Sequence, residues 1–166
     1  ATRKIVELLL NAQIPSVVYV APNGAQAGSA GTFIAAAATF AVMAPATNIG
    51  ASTPVSGDGN DLPETLASKV TNDASALIRA IAAERGRNAD KLEATVRKAV
   101  SFSAKEAVEL NVVDFVAEDK NDLLRQLDGQ VAFTSVGQKM LDTQGMDIRR
   151  VEMNILERIL FFLADP

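Results

Sequence analysis

The sequence predicts an α/β domain built on parallel strands. Two short apolar runs, 16–20 and 40–44, show no polar alternation, which is typical of strands covered on both faces. Helical periodicity follows each of them, and short strand–helix–strand links form right-handed parallel crossovers. With 166 residues, 48% of them apolar, we expect one domain with a substantial core.

The first predicted element is a helix, 2–13, which Pro15 ends before the first strand. A domain rarely begins inside a helix, so we expect Ala1 to be an internal position of a longer protein. The helix should turn its apolar positions to the core and Arg3, Lys4 and Glu7 to solvent. The apolar positions are Ile5, Leu8, Leu9 and Ala12.

After the first strand, a loop rich in glycine and alanine leads to Ser29 at the start of a helix. Gly28 and Gly31 leave room for a sharp turn that presents the hydroxyl, as at the nucleophile elbow of other hydrolases. The alternative is that Ser29 only caps the helix and the small residues allow close packing. The strand 40–44 completes a crossover, which places Ser29 at the rim where strands end.

Residues 52–63 have no apolar pattern that a core could bury, which predicts a mobile loop, either a lid or a substrate-binding flap. A long helix, 64–85, follows, and Lys69 lies at the flank of its apolar stripe. Periodicity alone favours a solvated lysine, paired with Asp73 one turn later. The stripe consists of Leu66, Val70, Ala74, Leu77, Ile78 and Ile81.

The second half of the chain predicts supporting elements. An apolar cluster, 159–163, is too short to span a bilayer but could dock on one or on a partner. The other predicted elements are a helix at 89–100 with Leu92, Val96 and Ala99 inward, a helix to Leu110 opened by the capping box 103–106, a strand at 112–117, a helix at 119–127, and short strands within 130–153 around turns at Gly137 and Gly145.

Composition excludes several classes of function. The chain has no histidine and no cysteine, so it can hold neither a Ser-His-Asp triad nor a His/Cys zinc site. Hydrolysis through a serine would need a lysine or a carboxylate as the base. A net charge of −4 and a pI near 4.9 argue against a nucleic-acid partner. Within the printed residues we expect neither a signal peptide nor a transmembrane helix, which requires an apolar stretch of about 20 residues.

Motifs spread over nearly the whole chain closely resemble the membrane-bound serine proteases of the NfeD family, which belongs to the ClpP/crotonase superfamily and is related to signal peptide peptidase A. The resemblance implies a single domain, 1–166, with a ClpP/crotonase-like spiral of ββα units, parallel core strands and its first strands missing. The motifs are GSAGTFIA at 28–35, MAP at 43–45, IGA at 49–51, KVTNDA at 69–74, RGRN at 85–88, and SAKEAVEL at 103–110 before VVD at 112–114.

The resemblance implies a catalytic dyad in which Ser29 is the nucleophile and Lys69 the general base. A lysine serves as a base near neutral pH only when its surroundings lower its pKa from about 10.4. The backbone amide of Ala30 is one implied oxyanion donor, and the family's other donor, a Gly-Gly segment, would lie upstream of Ala1. Losing one such donor typically costs about 100- to 1,000-fold in rate. The implied substrate contacts are Gly28, Ile49 and Gly50.

The resemblance further implies an extracytoplasmic protease domain, followed by transmembrane helices, that cleaves apolar segments of membrane-associated proteins such as stomatin relatives. It implies a homodimer or higher homo-oligomer, and neither a cofactor, a metal nor a nucleic-acid partner. Two alternatives stay open. One is a non-catalytic module of ClpP fold that binds a membrane partner. The other is a crotonase-type acyl-CoA enzyme, which needs no Ser-Lys pair, although the sequence has no adenine-recognising signature.

Overall fold

Helices and strands are interspersed along the chain in the computed structural model, which describes residues 1–54 and 64–151. The α/β class predicted from the sequence is confirmed. The elements are α1 (Thr2–Leu10), β1 (Val17–Val20), β2 (Gln26–Gly28), α2 (Ala30–Ala37), β3 (Phe40–Met43), β4 (Asn48–Gly50), α3 (Glu64–Glu84), α4 (Ala89–Arg97), β5 (Ser101–Ser103), α5 (Ala104–Glu109), β6 (Phe115–Val116), α6 (Lys120–Leu127), β7 (Val131–Thr134) and β8 (Gly137–Met140).

The described strands form two three-stranded sheets and one hairpin. The first sheet has the order β1-β3-β6 and is parallel throughout, with Val17 opposite Phe40. The second has the order β2-β4-β5, in which β2 and β4 are parallel and β5 is antiparallel to β4. The predicted crossover from β1 through α2 to β3 is therefore present. Two corrections apply. The stretch predicted as a loop before Ser29 contains the strand β2, and residues 46–51, which also read as a loop in the sequence, contain β4.

Helix α2 lies at the centre of the core and packs against α1, α3 and strands of both sheets. Its alanines Ala35 to Ala37 are fully buried, because small side chains let neighbouring elements approach closely on several sides. On α4, Leu92 and Val96 face this core as predicted. Ala99 does not, because α4 ends at Arg97 and Ala99 is exposed.

The predicted inward face of α1 is only partly confirmed. Leu9 packs on the core as predicted, but Leu8 is 61% and Ile5 40% exposed, and the buried residue of this helix is Val6, at 3%. The helix packs on α2 and joins the core through Val6, Leu9 and Leu10. Its sequence carries apolar residues on more than one face, so periodicity alone does not decide which face is buried.

The apolar stripe of α3 is buried only in its C-terminal half. Ile78 and Ile81 are buried, but Leu66 near the start of the helix is 45% exposed. Part of the predicted lid, 55–63, lies outside the described residues, as does the apolar cluster 159–163. No helix in the part of the chain that the structure describes is long and apolar enough to cross a membrane.

Predictions for the second half are largely confirmed. Ser103 forms the capping box with Glu106, whose carboxylate accepts from the Ser103 amide at 2.9 Å. A hairpin, β7–β8, turns just before Gly137. The strand predicted at 112–117 is shorter, because only Phe115 and Val116 pair with β3, although the preceding valines are buried.

Arg87 anchors the C-terminal end of α2. The residue is 6% exposed, and its guanidinium donates to the carbonyl oxygens of Ala36 and Ala38 and to Asp114 Oδ2 at 2.8 Å. The same carboxylate oxygen accepts from the amide of Ala41 at 2.6 Å. A cation is favourable here, because the last carbonyls of a helix lack intrahelical donors.

Arg85 ties the same end of α2 to α1. It donates to the carbonyl oxygens of Ala37 and Leu9, each at 2.8 Å. Burial, followed by the nearby charge of Arg87, lowers the pKa of Arg85. Together the two arginines hold in place the helix that has Ser29 at its other end.

Candidate functional site

Ser29 lies in a sharp turn between β2 and α2. Its backbone has φ 47° and ψ −117°, a conformation that residues other than glycine rarely adopt. Its N–H donates to the carbonyl oxygens of Gly50 and Ala51, each at 3.3 Å. The residue is exposed at the start of α2. The turn therefore presents the hydroxyl-bearing residue at the edge of the fold, as the glycine spacing predicts.

The end of β4 supports this turn. The Gly50 carbonyl accepts from the Ser29 amide and also from the buried hydroxyls of Thr32, at 3.1 Å, and Ser52, at 3.2 Å. Gly50 has φ 136°, and a Cβ there would lie 2.2 Å from the Val100 carbonyl oxygen. Only glycine fits position 50. The backbone segments at Ser29, Gly50 and Val100 therefore approach one another closely, and this packing holds Ser29 in its strained conformation.

We expect Ser29→Gly to raise the free energy of unfolding by about 1 kcal/mol, because glycine adopts this backbone conformation without strain. Denaturant unfolding monitored by circular dichroism measures the change. Ser101→Gly is the matched control, since Ser101 lies in β5 with ordinary backbone angles and glycine should destabilise it by about 0.5–1 kcal/mol. Equal losses in both variants would show that Ser29 is not strained.

A groove of about 290 Å³ runs between α2 and α3 beside Ser29. Its walls are mainly apolar along both helices, and a charged pair lies at its rim, where Arg3 of α1 donates to Asp73 of α3. Its described lining residues are Thr2, Arg3, Ser29, Ala30, Phe33, Ser52, Pro54, Val70, Asp73, Ala74 and Leu77.

Ala30 is the first residue of α2 and lines the groove next to Ser29. The first amides of a helix have no intrahelical acceptor, and the helix dipole favours negative charge at this end. An oxygen that becomes anionic beside Ser29 would therefore find a suitable donor in the Ala30 amide. The helix supplies both the hydroxyl and the means to polarise a carbonyl.

Lys69 is exposed on the second turn of α3. It immediately precedes Val70 and lies one turn before Asp73, and both of these line the groove. The described hydrogen bonds do not link it to Ser29. The alternative pairing with Asp73 is not observed, because Asp73 pairs with Arg3.

The three predicted substrate contacts belong to the paired strands β2 and β4. Gly28 is opposite Gly50 in this ladder, and Ile49 is 1% exposed with its side chain in the core. None is among the residues that line the described groove. Sequence reasoning missed the lining residues Phe33 and Arg3. The position of Phe33, one helical turn after Ser29, was the available signal for it.

Within residues 1–54 and 64–151, no group of three or more carboxylates is placed to hold a metal ion. The site consists instead of a strained serine, a helix N-terminus and an apolar groove. This arrangement suits nucleophilic attack on a carbonyl group.

Comparison with known proteins identifies relatives over the whole chain. The Clp protease family model matches residues 4–120. The chain is 33% identical over 169 aligned residues to Membrane-bound protease PH1510 of Pyrococcus horikoshii, covering 100% of this chain and 38% of that protein. The chain thus spans less than half the length of this curated relative.

Solved structures show the same relationship. A lysine-to-alanine variant of the 1510-N membrane-bound stomatin-specific protease, in complex with a substrate peptide, has a TM-score of 0.89 and 31% identity, with 99% of this chain and 77% of that chain covered. A serine-to-alanine variant of the same protease has a TM-score of 0.83 and 33% identity, with coverage of 92% and 75%.

A more distant structure shares the fold. ClpP1 of Listeria monocytogenes has a TM-score of 0.53 at 18% identity, with 74% of this chain and 68% of that chain covered. The predicted ClpP/crotonase-like architecture is thereby confirmed. By its sequence match over 4–120 and its relatives above 30% identity, the chain belongs to the Clp protease family.

Proposed function

We propose that this domain is a serine endopeptidase in which Ser29 is the nucleophile and Lys69 the general base. The observation that carries the proposal is the strained turn that presents Ser29 at the N-terminus of α2, beside a groove able to take an extended peptide. A serine that only capped the helix would have a side-chain hydrogen bond to the first turn, and Ser29 has none.

The relatives support the same two residues. The protease solved with a substrate peptide carries a lysine-to-alanine substitution, and a second structure carries a serine-to-alanine substitution. In that protein the two positions are one residue further apart than Ser29 and Lys69 are here. Such pairs of substitutions are the usual means of disabling a nucleophile and its base.

The proposed reaction has two stages. Ser29 Oγ attacks the peptide carbonyl carbon while its proton passes to Lys69 Nζ, and the carbonyl oxygen becomes an oxyanion that accepts from the Ala30 amide. The C–N bond then breaks, and Lys69 returns the proton to the leaving amine. Water, deprotonated by Lys69, attacks the acyl ester, the ester C–O bond breaks to release the second product, and Lys69 returns the proton to the Ser29 oxygen.

This chemistry requires Lys69 Nζ within hydrogen-bond distance of Ser29 Oγ. The flexible stem of lysine allows its ammonium group to reach over neighbouring residues, and catalytic hydrogen bonds often tighten only when substrate binds. A peptide in the groove would exclude water from the space between α2 and α3. In general, a lysine accepts a proton only in its neutral form, which the exclusion of water favours.

We infer that the substrate presents apolar side chains. Phe33, Val70, Ala74 and Leu77 line the groove, and burying apolar surface contributes roughly 25 cal/mol per Å². Charged side chains would lose hydration there. Because the similar protease solved with a substrate peptide is stomatin-specific, the substrate that we propose is an apolar segment of a membrane-associated protein, such as a stomatin relative. We further propose that residues 1–166 are a protease domain and that the protein is membrane-bound with this domain on the extracytoplasmic side. The protein is also proposed to form a homodimer or higher homo-oligomer, and light scattering would measure its oligomeric state.

We expect peptides rich in Leu, Val and Phe around the cut to be hydrolysed, and peptides rich in Lys or Asp to be left intact. A peptide-library cleavage profile, measured on the protein as its gene encodes it, tests this. Val70→Ser should lower kcat/KM for the apolar peptides several-fold, because it makes the groove wall polar. The control is Leu66→Ser, an exposed apolar position on the same helix outside the described groove lining. A preference for charged residues at the cut would contradict the proposal.

A further inference from the structure

One ion pair crosses the rim of the groove beside Ser29. The guanidinium of Arg3 on α1 donates to the carboxylate of Asp73 on α3, and both side chains are largely exposed. Both residues also line the groove that contains Ser29 and Ala30. The pair therefore joins two helices directly at the candidate site.

Asp73 also lies one helical turn after Lys69. Side chains at positions i and i+4 of a helix are neighbours, with Cβ atoms about 5–6 Å apart. A carboxylate that close stabilises the protonated form of a lysine. If Asp73 paired with Lys69, it would hold the proposed base in the form that cannot accept a proton.

We propose that Arg3 is a positioning residue that occupies the Asp73 carboxylate and thereby keeps it from pairing with Lys69. The inference rests on the proposed Ser29–Lys69 dyad. The guanidinium both binds Asp73 and offsets its negative charge at the groove. In the absence of Arg3, the Asp73 carboxylate would be free to pair with Lys69 one helical turn away.

Other charged groups near this part of α3 have partners of their own. On α4, Glu93 pairs with Arg79 of α3 and with Arg97, and the hydrogen bond from Arg97 holds the pKa of Glu93 below its usual value. Arg97 also donates to Asn72 at 2.8 Å. These contacts lie toward α4, whereas Asp73 lies toward the groove.

The remaining neighbouring elements offer no competing carboxylate at the groove in the described part of the chain. Helix α2, Ala30–Ala37, has no ionisable side chain. On α1, Glu7 pairs with Lys4 at 3.0 Å. The other charged side chains on α3 and α4 are Glu64, Glu84, Asp90 and Lys91, and Lys98 follows the last residue of α4.

The test measures kcat/KM against pH for an uncharged apolar peptide, using the protein as its gene encodes it. Because the base must lose a proton, activity should rise on the alkaline side of neutrality. Arg3→Gln should move the midpoint of this rise upward by about half a pH unit, the size expected from an exposed charge pair. Arg3→Lys should keep the midpoint of the parent, since it retains the cation. The rate at which a fluorophosphonate labels Ser29 gives a second readout of the same midpoint.

The double variant Arg3→Gln with Asp73→Asn separates the proposed role from a structural one. If Arg3 acts through Asp73, removing both charges restores the parent midpoint. A purely structural link between α1 and α3 would lower the melting temperature in every variant without moving the midpoint. An unchanged midpoint in Arg3→Gln, or a shift that persists in the double variant, would overturn the inference.

Activity retained in Lys69→Ala, or a parent protein without activity, would instead overturn the proposed dyad.

Discussion

Replacing Ser29 by alanine is expected to lower peptide hydrolysis at least about a thousand-fold, and replacing Lys69 by alanine should have an effect of similar size. The two losses should be similar because both side chains act in one proton-transfer unit, which fails when either is absent. Without the hydroxyl no acyl ester forms, and without the amine the hydroxyl keeps its proton. Rates of peptide hydrolysis at saturating and at low substrate concentration measure both effects.

Two controls make the result specific. Lys98→Ala removes an exposed lysine near the end of α4, away from the described groove lining, and should leave the rate unchanged. Circular dichroism should show that each variant remains folded, since Ser29 and Lys69 are both exposed. A double variant no slower than either single variant is expected for residues of one unit. A Lys69→Ala protein with a rate within a few-fold of the parent would exclude Lys69 as the base.

Replacing Arg87 by alanine is expected to lower the free energy of unfolding by about 3–5 kcal/mol. The change removes the donors for Ala36 O and Ala38 O and leaves the Asp114 carboxylate without its counter-charge. A largely buried ion pair that loses one partner costs far more than an exposed pair, because the remaining groups lose their solvation without compensation. Urea unfolding, with the midpoint and slope fitted separately, measures the loss.

The matched control is Arg125→Ala. Arg125 also pairs with an aspartate, Asp122, but its side chain is 79% exposed, and the expected loss is below about 1 kcal/mol. Asp114→Asn should be milder than Arg87→Ala, because the amide oxygen can still accept from Arg87 and from the Ala41 amide. Equal losses for Arg87→Ala and Arg125→Ala would show that burial does not govern the stability of these pairs.

Much of the fold could be predicted because its signals are local. The apolar run of β3 indicates a strand buried on both faces, and all four of its residues are buried. The spacing of Ser103 and Glu106 predicts a capping box, which forms. Pattern reasoning fails where an element has more than one apolar face, as in α1, or is too short to show a period, as in β2.

In the candidate site, too, only the features that depend on neighbouring residues could be predicted from the sequence. The small residues around Ser29 predict a turn that presents the hydroxyl, because the space for such a turn depends on the residues next to it. The partner of Asp73 was not predictable, since Arg3 is 70 positions away in the chain. The same holds for Val100, whose carbonyl requires glycine at position 50.

By itself the sequence determined the helices, the strands β1 and β3, the serine turn at 28–31 and the exclusion of histidine and cysteine chemistry, because each depends on neighbouring residues or on composition. Only the tertiary structure decided which face of α1 is buried, which cation forms an ion pair with Asp73, and that Ile49 lies in the core rather than in the groove. These depend on the packing of segments distant in the chain, where several pairings satisfy the same local pattern and close packing selects one.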